Sequence, residues 1–340
     1  YSDVTAYFIT YGGVAGKRIG TAVNPVGSPS ATYNTYDFKY FYEKELHKIW
    51  HSGREYHGED FSQSGSKSFP INVVSPVDNA TVKIKLAMAG KGVSSTAVCS
   101  FNGQNFATIT GLYGIEDNID APKYSEFLVQ NDLKINSSNN NLQILFNKGG
   151  DNSVGYLNYF EFFTDAYLVN QGFFEFSSIS AINESIVQYN INNQGKSILV
   201  LDITNPWDIQ SMPLQNNGNT SSFVAAHNGK FRKFVCLDWT KIETVVDAGG
   251  VENQNLAGIA APDLVIVTHP EFVNAAQVLA NHRRTYDGLS VAVVTPQQIY
   301  NEFSSGTQDI TAIRDFMRKL YYDGSNKLKY LLIIGDASYD

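Results

Sequence analysis

Along the first 260 or so residues, apolar and polar positions alternate with a period of two. The clearest run is Val82 to Met88. Val82, Ile84, Leu86 and Met88 fall on one side and Lys83 and Lys85 on the other, the pattern of a half-buried strand. Val98–Phe101 and Phe106–Ile109 flank Asn102-Gly103. That dipeptide tolerates the positive φ angles of a tight hairpin, so the two runs predict paired strands. Further strands are expected at Glu126–Val129, Leu142–Phe146, Tyr156–Phe163, Ile198–Ile203 and Phe234–Asp238, separated by turn residues such as those at 147–150 and 216–219. Short, evenly spaced strands imply antiparallel β-sandwiches or jelly rolls. The expected division is a β-sandwich domain over 1–170 and a second β-rich domain over 171–262. Alternatively, the polar stretch 178–195 reads as a loop within one larger unit. The aromatic segment 36–50 suits a strand or a helical face and is expected to be a short surface element.

After residue 262 the rhythm changes. Asp263–Thr268 is a continuous apolar run, typical of a parallel strand buried on both faces. Pro270 then precedes Phe272, Ala275, Ala276 and Leu279 at helical spacing, with Gly288 as a stop. Leu289–Val294 predicts a second strand. Asp309 is placed to cap a helix carrying Ile310, Ile313, Phe316, Met317 and Leu320, which Gly324 ends. Lys329–Ile334 predicts a third strand. The order β-α-β-α-β argues for a parallel sheet over 263–340 with helices on its faces. The fold class is therefore mostly β: sandwich domains followed by the opening of an α/β subdomain.

Composition agrees with a packed β-rich protein. The chain of 340 residues is 43% hydrophobic, with 20 Tyr and 21 Phe, residues that favour strands. A net charge of −8 without a basic patch argues against a nucleic-acid partner. No apolar run reaches the roughly 18 residues of a membrane-spanning helix. The two cysteines, Cys99 and Cys236, lie in strand-like runs without a neighbouring CxxC or Cys/His set. No metal or other cofactor is expected from them. They read as buried small apolar side chains, or as a disulfide in an exported protein.

Several residues admit two readings. His269 follows the first parallel strand and is either a turn residue or the edge of a site. Asp336 and Asp340 follow the third strand, where open α/β sheets bind ligands. They either support a site or hold a cation there, or cap a loop. Arg54, Glu55 and Glu59 form either an ordering ion pair or a partner contact. His47, His51 and His57 lack the spacing of metal ligands. The aromatic run Tyr156–Phe163 suits a sugar platform less well than a core strand. A nucleotide site is disfavoured, since no glycine-rich loop follows 263–268.

The last segments, taken in order, resemble the gingipain cysteine peptidases. They are Asp263–Pro270, Leu289–Pro296, Ile299–Gly306, Ala312–Phe316 and Tyr330–Asp340. Ser52–Phe61 and Leu201–Pro206 extend the resemblance upstream, toward the branch that acts as a sortase of type IX secretion. The resemblance implies a surface protein of a Bacteroidota bacterium, in its outer membrane. It implies a peptidase that removes C-terminal sorting domains from secreted cargo and attaches that cargo to the cell surface. Cargo proteins and other secretion components would be its partners. It also implies a Cys/His dyad in a following subdomain, with no matching position among these residues, so the chain is expected to be inactive alone. The alternative is a non-enzymatic surface protein whose sandwiches bind glycan or protein.

Overall fold

The structure, a computed structural model, describes residues 6–9, 12–49, 56–63, 65–114, 124–242 and 244–335, with backbone only at 124–132. Contacts divide the chain into two units. One is Lys17–Thr244; the other joins the residues from Val245 onward with the N-terminal stretch up to Gly16.

The first of these units opens on β1 (Gly20–Thr21) and β2 (Ala31–Tyr33). A sandwich follows, made of β3 (Thr35–Glu43), β4 (Ser66–Asn72), β5 (Ala80–Phe101), β6 (Gln104–Gly114), β7 (Tyr124–Ile135), β8 (Asn139–Asn147) and β9 (Val154–Tyr167). Its organiser is β5, a strand of 22 residues. The N-terminal half of β5 lies between β9 and β7, and β3 pairs β9 to complete one sheet. The C-terminal half lies between β8 and β6, and β4 pairs β8 to complete the other. The strand turns the corner near Gly90 and Gly92. A Cβ at Gly90 would stand 2.5 Å from the carbonyl carbon of Leu112, and Gly92 has φ +84°, so both positions need glycine. Val82, Ile84, Leu86 and Met88 are all fully buried, as the alternation predicts. Asn102 and Gly103 both take positive φ, 48° and 83°, and close the β5–β6 hairpin.

Segment 36–50 resolves as strand through Glu43. β3 runs antiparallel to β9, and Tyr36 lies in the core while Phe41 faces out. The aromatic run of β9 is core. Phe160 and Phe162 are fully buried, and Phe160 packs on Tyr42 and Phe69.

A second sandwich comprises β10 (Phe173–Ser177), β11 (Ile186–Asn192), β12 (Ile198–Asp202), β13 (Gln210–Ser211), β14 (Gln215–Asn217), β15 (Thr220–Ala226) and β16 (Lys233–Asp238). Its sheets have the orders β1-β13-β12-β16-β10 and β14-β15-β11-β2. The stretch 178–195 contains β11, with Val187, Tyr189 and Ile191 buried behind outward Gln and Asn side chains. Tyr189, Phe176, Phe223 and Phe234 form one aromatic cluster. His227 donates from Nδ1 to the Lys230 carbonyl (3.1 Å), so its Nε2 accepts from the Tyr189 hydroxyl (2.9 Å). Tyr36 packs on Phe174 and Phe176, and one continuous core runs through both sandwiches.

The other unit is an α/β sheet. β17 (Leu264–Thr268) lies at its centre, with β18 (Val291–Val294) and β19 (Tyr330–Ile334) parallel on either side. Ala276 and Ala280 of α1 (Val273–Tyr286) pack on Leu264 and Ile266. Ile299 of α2 (Pro296–Phe303), with Phe316 and Leu320 of α3 (Ile310–Asp323), packs on Val265 and Val267. Adjacent residues of β17 point to opposite faces, so α1 covers one face and α2 and α3 the other. All five residues of β17 are buried. Asp309 caps α3 by accepting from the Thr311 N–H at 2.8 Å, as predicted. Gly288, at φ +65°, follows α1 in the left-handed region that a helix stop requires. Ile310 is an exception to the predicted stripe and is 74% exposed. α2 is an additional helix, set up by Pro296 in its first turn and a reciprocal Thr295–Gln298 capping box.

Candidate functional site

The chain runs from β17 to β18 on one side and then returns to β19 on the other. The helices that follow adjacent strands thus cover opposite faces of the sheet. This makes the carboxyl ends of β17 and β19 a topological switch point, where open α/β sheets place their ligands. The two ends meet directly: the His269 N–H donates to the Ile334 carbonyl at 3.4 Å. His269 and Gly335 therefore flank the same crevice edge. Asp336 and Asp340, the residues expected to support a site here, lie outside the described residues.

His269 is exposed, and its Nδ1 accepts from the Glu271 N–H at 3.4 Å. That contact caps the short helical turn Pro270–Phe272. The ring also lies 5.9 Å from that of Phe272. This is the geometry of a turn residue. At the opposite end of the sheet, Asp263 accepts from both the N–H (2.9 Å) and the hydroxyl (2.6 Å) of Ser290. These bonds hold the starts of β17 and β18 together and, with the Ser290 hydroxyl foremost, lower the Asp263 pKa.

One supporting residue was not singled out for a role by the sequence reading. Glu302 of α2 accepts from Gln254 Nε2 (2.9 Å) and from the N–H groups of Leu256 (2.6 Å) and Ala257 (2.8 Å). It thereby ties the segment entering the sheet to the second helical face. The rest of the stretch Ile299–Gly306 is equally structural. Phe303 packs on Phe316, and Gly306 takes φ +82° while its N–H donates to the Tyr300 carbonyl. The signal was available in the sequence as a single Glu on a short helix, but its partners lie more than forty residues upstream.

Neither cysteine has the surroundings of a nucleophile. Cys99 and Cys236 are both buried and free, one in each sandwich. Burial pushes each thiol up to about 12, whereas a reactive cysteine needs an accessible thiolate. His47 pairs with Asp60 at 3.3 Å, and His57 is fully buried beside Tyr156. His51, Arg54 and Glu55 lie outside the described residues. Among the described residues no group of three or more His, Cys, Asp or Glu could hold a metal ion.

Comparison with known proteins turns on this α/β unit. Residues 259–340 match the model of peptidase family C25, the gingipain family. The matched region takes in all three parallel strands and all three helices. The fold of the chain as a whole is similar to that in the crystal structure of dimeric latent PorU from Porphyromonas gingivalis, with a TM-score of 0.80 and 24% identity. That superposition covers 93% of this chain and 31% of the PorU chain. The chain thus spans about a third of the length of the structure it matches. The insecticidal δ-endotoxin Cry8Ea1 of Bacillus thuringiensis overlaps much less, with a TM-score of 0.26, 14% identity, and coverage of 31% of this chain and 19% of the toxin. The CBM36-1 domain of a multidomain xylanase from the hindgut metagenome of Trinervitermes trinervoides reaches a TM-score of 0.27 at 8% identity, covering 37% of this chain and 96% of that domain. Overlaps this low carry no argument. No curated protein matches the chain significantly.

Proposed function

We propose that this chain is the N-terminal, non-catalytic part of a PorU-like cysteine peptidase at the surface of a Gram-negative bacterium. The complete protein would remove C-terminal sorting domains from type IX secretion cargo and attach the cargo to the outer membrane. Its partners would be those cargo proteins and other components of the secretion system. The observation that carries this reading is the agreement of two comparisons, one of sequence and one of fold. The parallel sheet matches a peptidase family, and the fold over 93% of the chain follows PorU, including both sandwiches. The exposed apolar residues of β19 add support. Leu331 and Ile333 are 42% and 60% exposed, and such a sequence suits a strand inside a larger parallel sheet. Among the described residues no helix is long and apolar enough to cross a membrane.

In this reading the nucleophile and its base belong to chain beyond these residues, and Cys99 and Cys236 are structural. The chain alone should not hydrolyse peptides, and a thiol-directed peptidase inhibitor should label neither cysteine until the chain is unfolded. Deleting the gene in its host should leave secreted cargo with its sorting domain attached, as read by mass spectrometry of the cargo. Cargo processed normally in the deletion strain would overturn the proposal, as would rapid native labelling of either thiol.

A further inference from the structure

The first sandwich opens at one edge. β3 ends one sheet and β4 ends the other, and between these two edge strands lies a cavity of about 410 Å³. Its size falls in the range of small-ligand sites, about 300–1,000 Å³. Tyr40, Tyr42 and Phe69 form its apolar wall, and Lys44, Glu59, Lys67 and Ser68 its polar one. The aromatic wall is fixed. Tyr42 stacks on Phe160 at 5.1 Å and 15°, and meets Phe69 edge-on at 5.1 Å. Tyr40 braces against the same Phe160 at 5.9 Å. These rings hold their positions through core contacts, so a ligand meets a pre-formed surface.

The polar wall combines groups of opposite kind. Glu59 Oε1 accepts from the Tyr42 hydroxyl and from Lys44 Nζ, the latter at 3.1 Å. Glu59 Oε2 is buried and has no hydrogen-bond partner among the described residues. Burial raises the Glu59 pKa, but the Tyr42 and Lys44 bonds outweigh it and hold the group below its ordinary value. The wall therefore presents an ionised, acceptor-only carboxylate next to donor-only ammonium groups. An anionic ligand would meet Glu59, and a cationic one would meet Lys44 and Lys67. A neutral ring bearing several hydroxyls, each both donor and acceptor, can satisfy both kinds of group. Its C–H face can lie on the tyrosine rings, which Phe69 backs from the core.

We infer that this cavity is a binding site for a neutral saccharide, recognised by Tyr40 and Tyr42 on its apolar face and by Glu59 and Lys67 at its hydroxyls. The site stands independently of the peptidase reading, since it uses only residues 40–70 of the first sandwich. It also differs from the aromatic run of β9, which is spent on the core.

The test is to apply the labelled chain to an array of neutral, uronate and sulfated oligosaccharides, and to titrate the strongest neutral ligand by calorimetry. The expected result is binding confined to neutral glycans and weakened at least tenfold by Lys67→Ala and by Glu59→Gln. A Ser222→Ala variant in the second sandwich should leave it unchanged. Lys67 is the second residue of the edge strand β4 and only partly buried, so its variant keeps the fold even where a change at Tyr40 does not. Binding to no neutral glycan overturns the proposal. So does preferential binding of sulfated or uronate glycans, and so does full affinity in both cavity variants.

Discussion

β9 and β17 are both interior strands, and they bury themselves differently. β9 sinks Phe160 and Phe162 into one core and leaves Tyr159, Glu161 and Phe163 half-buried on the other side. β17 has all five residues buried, because helices cover both faces of its sheet. A strand in a sandwich needs one apolar face, whereas a strand in a doubly covered sheet needs two. That difference sets the written pattern, alternation in one unit and an unbroken apolar run in the other. β19 is the informative exception. Tyr330–Ile334 has the composition of a doubly covered strand and the exposure of an edge.

The sharpest way to break this comparison is to change the charge on each strand. Val267→Glu puts an unpaired carboxylate into a face with no partner for it, and should cost more than about 4 kcal/mol or prevent that unit from folding. Glu161→Gln on β9 removes only a partly exposed pair with Lys39, and should shift stability by less than about 1 kcal/mol. Urea unfolding followed by circular dichroism measures both, and comparable costs would refute the two-face argument.

A second comparison stays inside the parallel sheet. Ile266→Ala should cost about 2–5 kcal/mol, the usual range for a buried aliphatic side chain. Leu332→Ala, at a position 37% exposed on β19, should cost under about 1 kcal/mol in this chain. If Leu332 proved as costly as Ile266, β19 would be covered in solution.

A pH dependence belongs to the β unit. Burial, with the nearby His47 second, lowers the His57 pKa from 6.5 to about 4. Between those values the unfolded chain binds a proton that the folded chain does not, so stability falls as pH drops through that window. His57→Gln should flatten the decline between pH 6.5 and 4 in denaturant titrations. An unchanged slope would show that His57 does not contribute.

Much of this architecture was legible in the sequence where the evidence is local. The alternation of Val82–Met88, the Asn102-Gly103 turn, the apolar run of β17 and the Asp309 cap each depend on neighbours in the chain. The cavity was not legible. It needs β3 and β4 to end two different sheets, and that depends on β5 turning between them. β11 was obscured because its outward Gln188, Asn190 and Asn192 dominate the composition and hide the inward Val187, Tyr189 and Ile191. α2 carried a capping box in plain view at Thr295–Gln298, but its eight residues fall below the length at which periodicity is informative. The carboxyl edge where β17 and β19 end was legible, because it follows from strand order alone. The roles of individual side chains there depend on what surrounds them in space.

The pairings of β1 and β2 carry one more consequence. Both short strands precede the first sandwich in the chain but add parallel edges to the sheets of the second, at β13 and β11. The first sandwich is thus an insert between β2 and β10. Its two ends meet on one rung, with Thr35 opposite Tyr167. Such a module can be gained, lost or exchanged in evolution by a single splice across neighbouring residues. The host sandwich would keep its strand order, and Phe174 would be left to find a new neighbour in place of Tyr36.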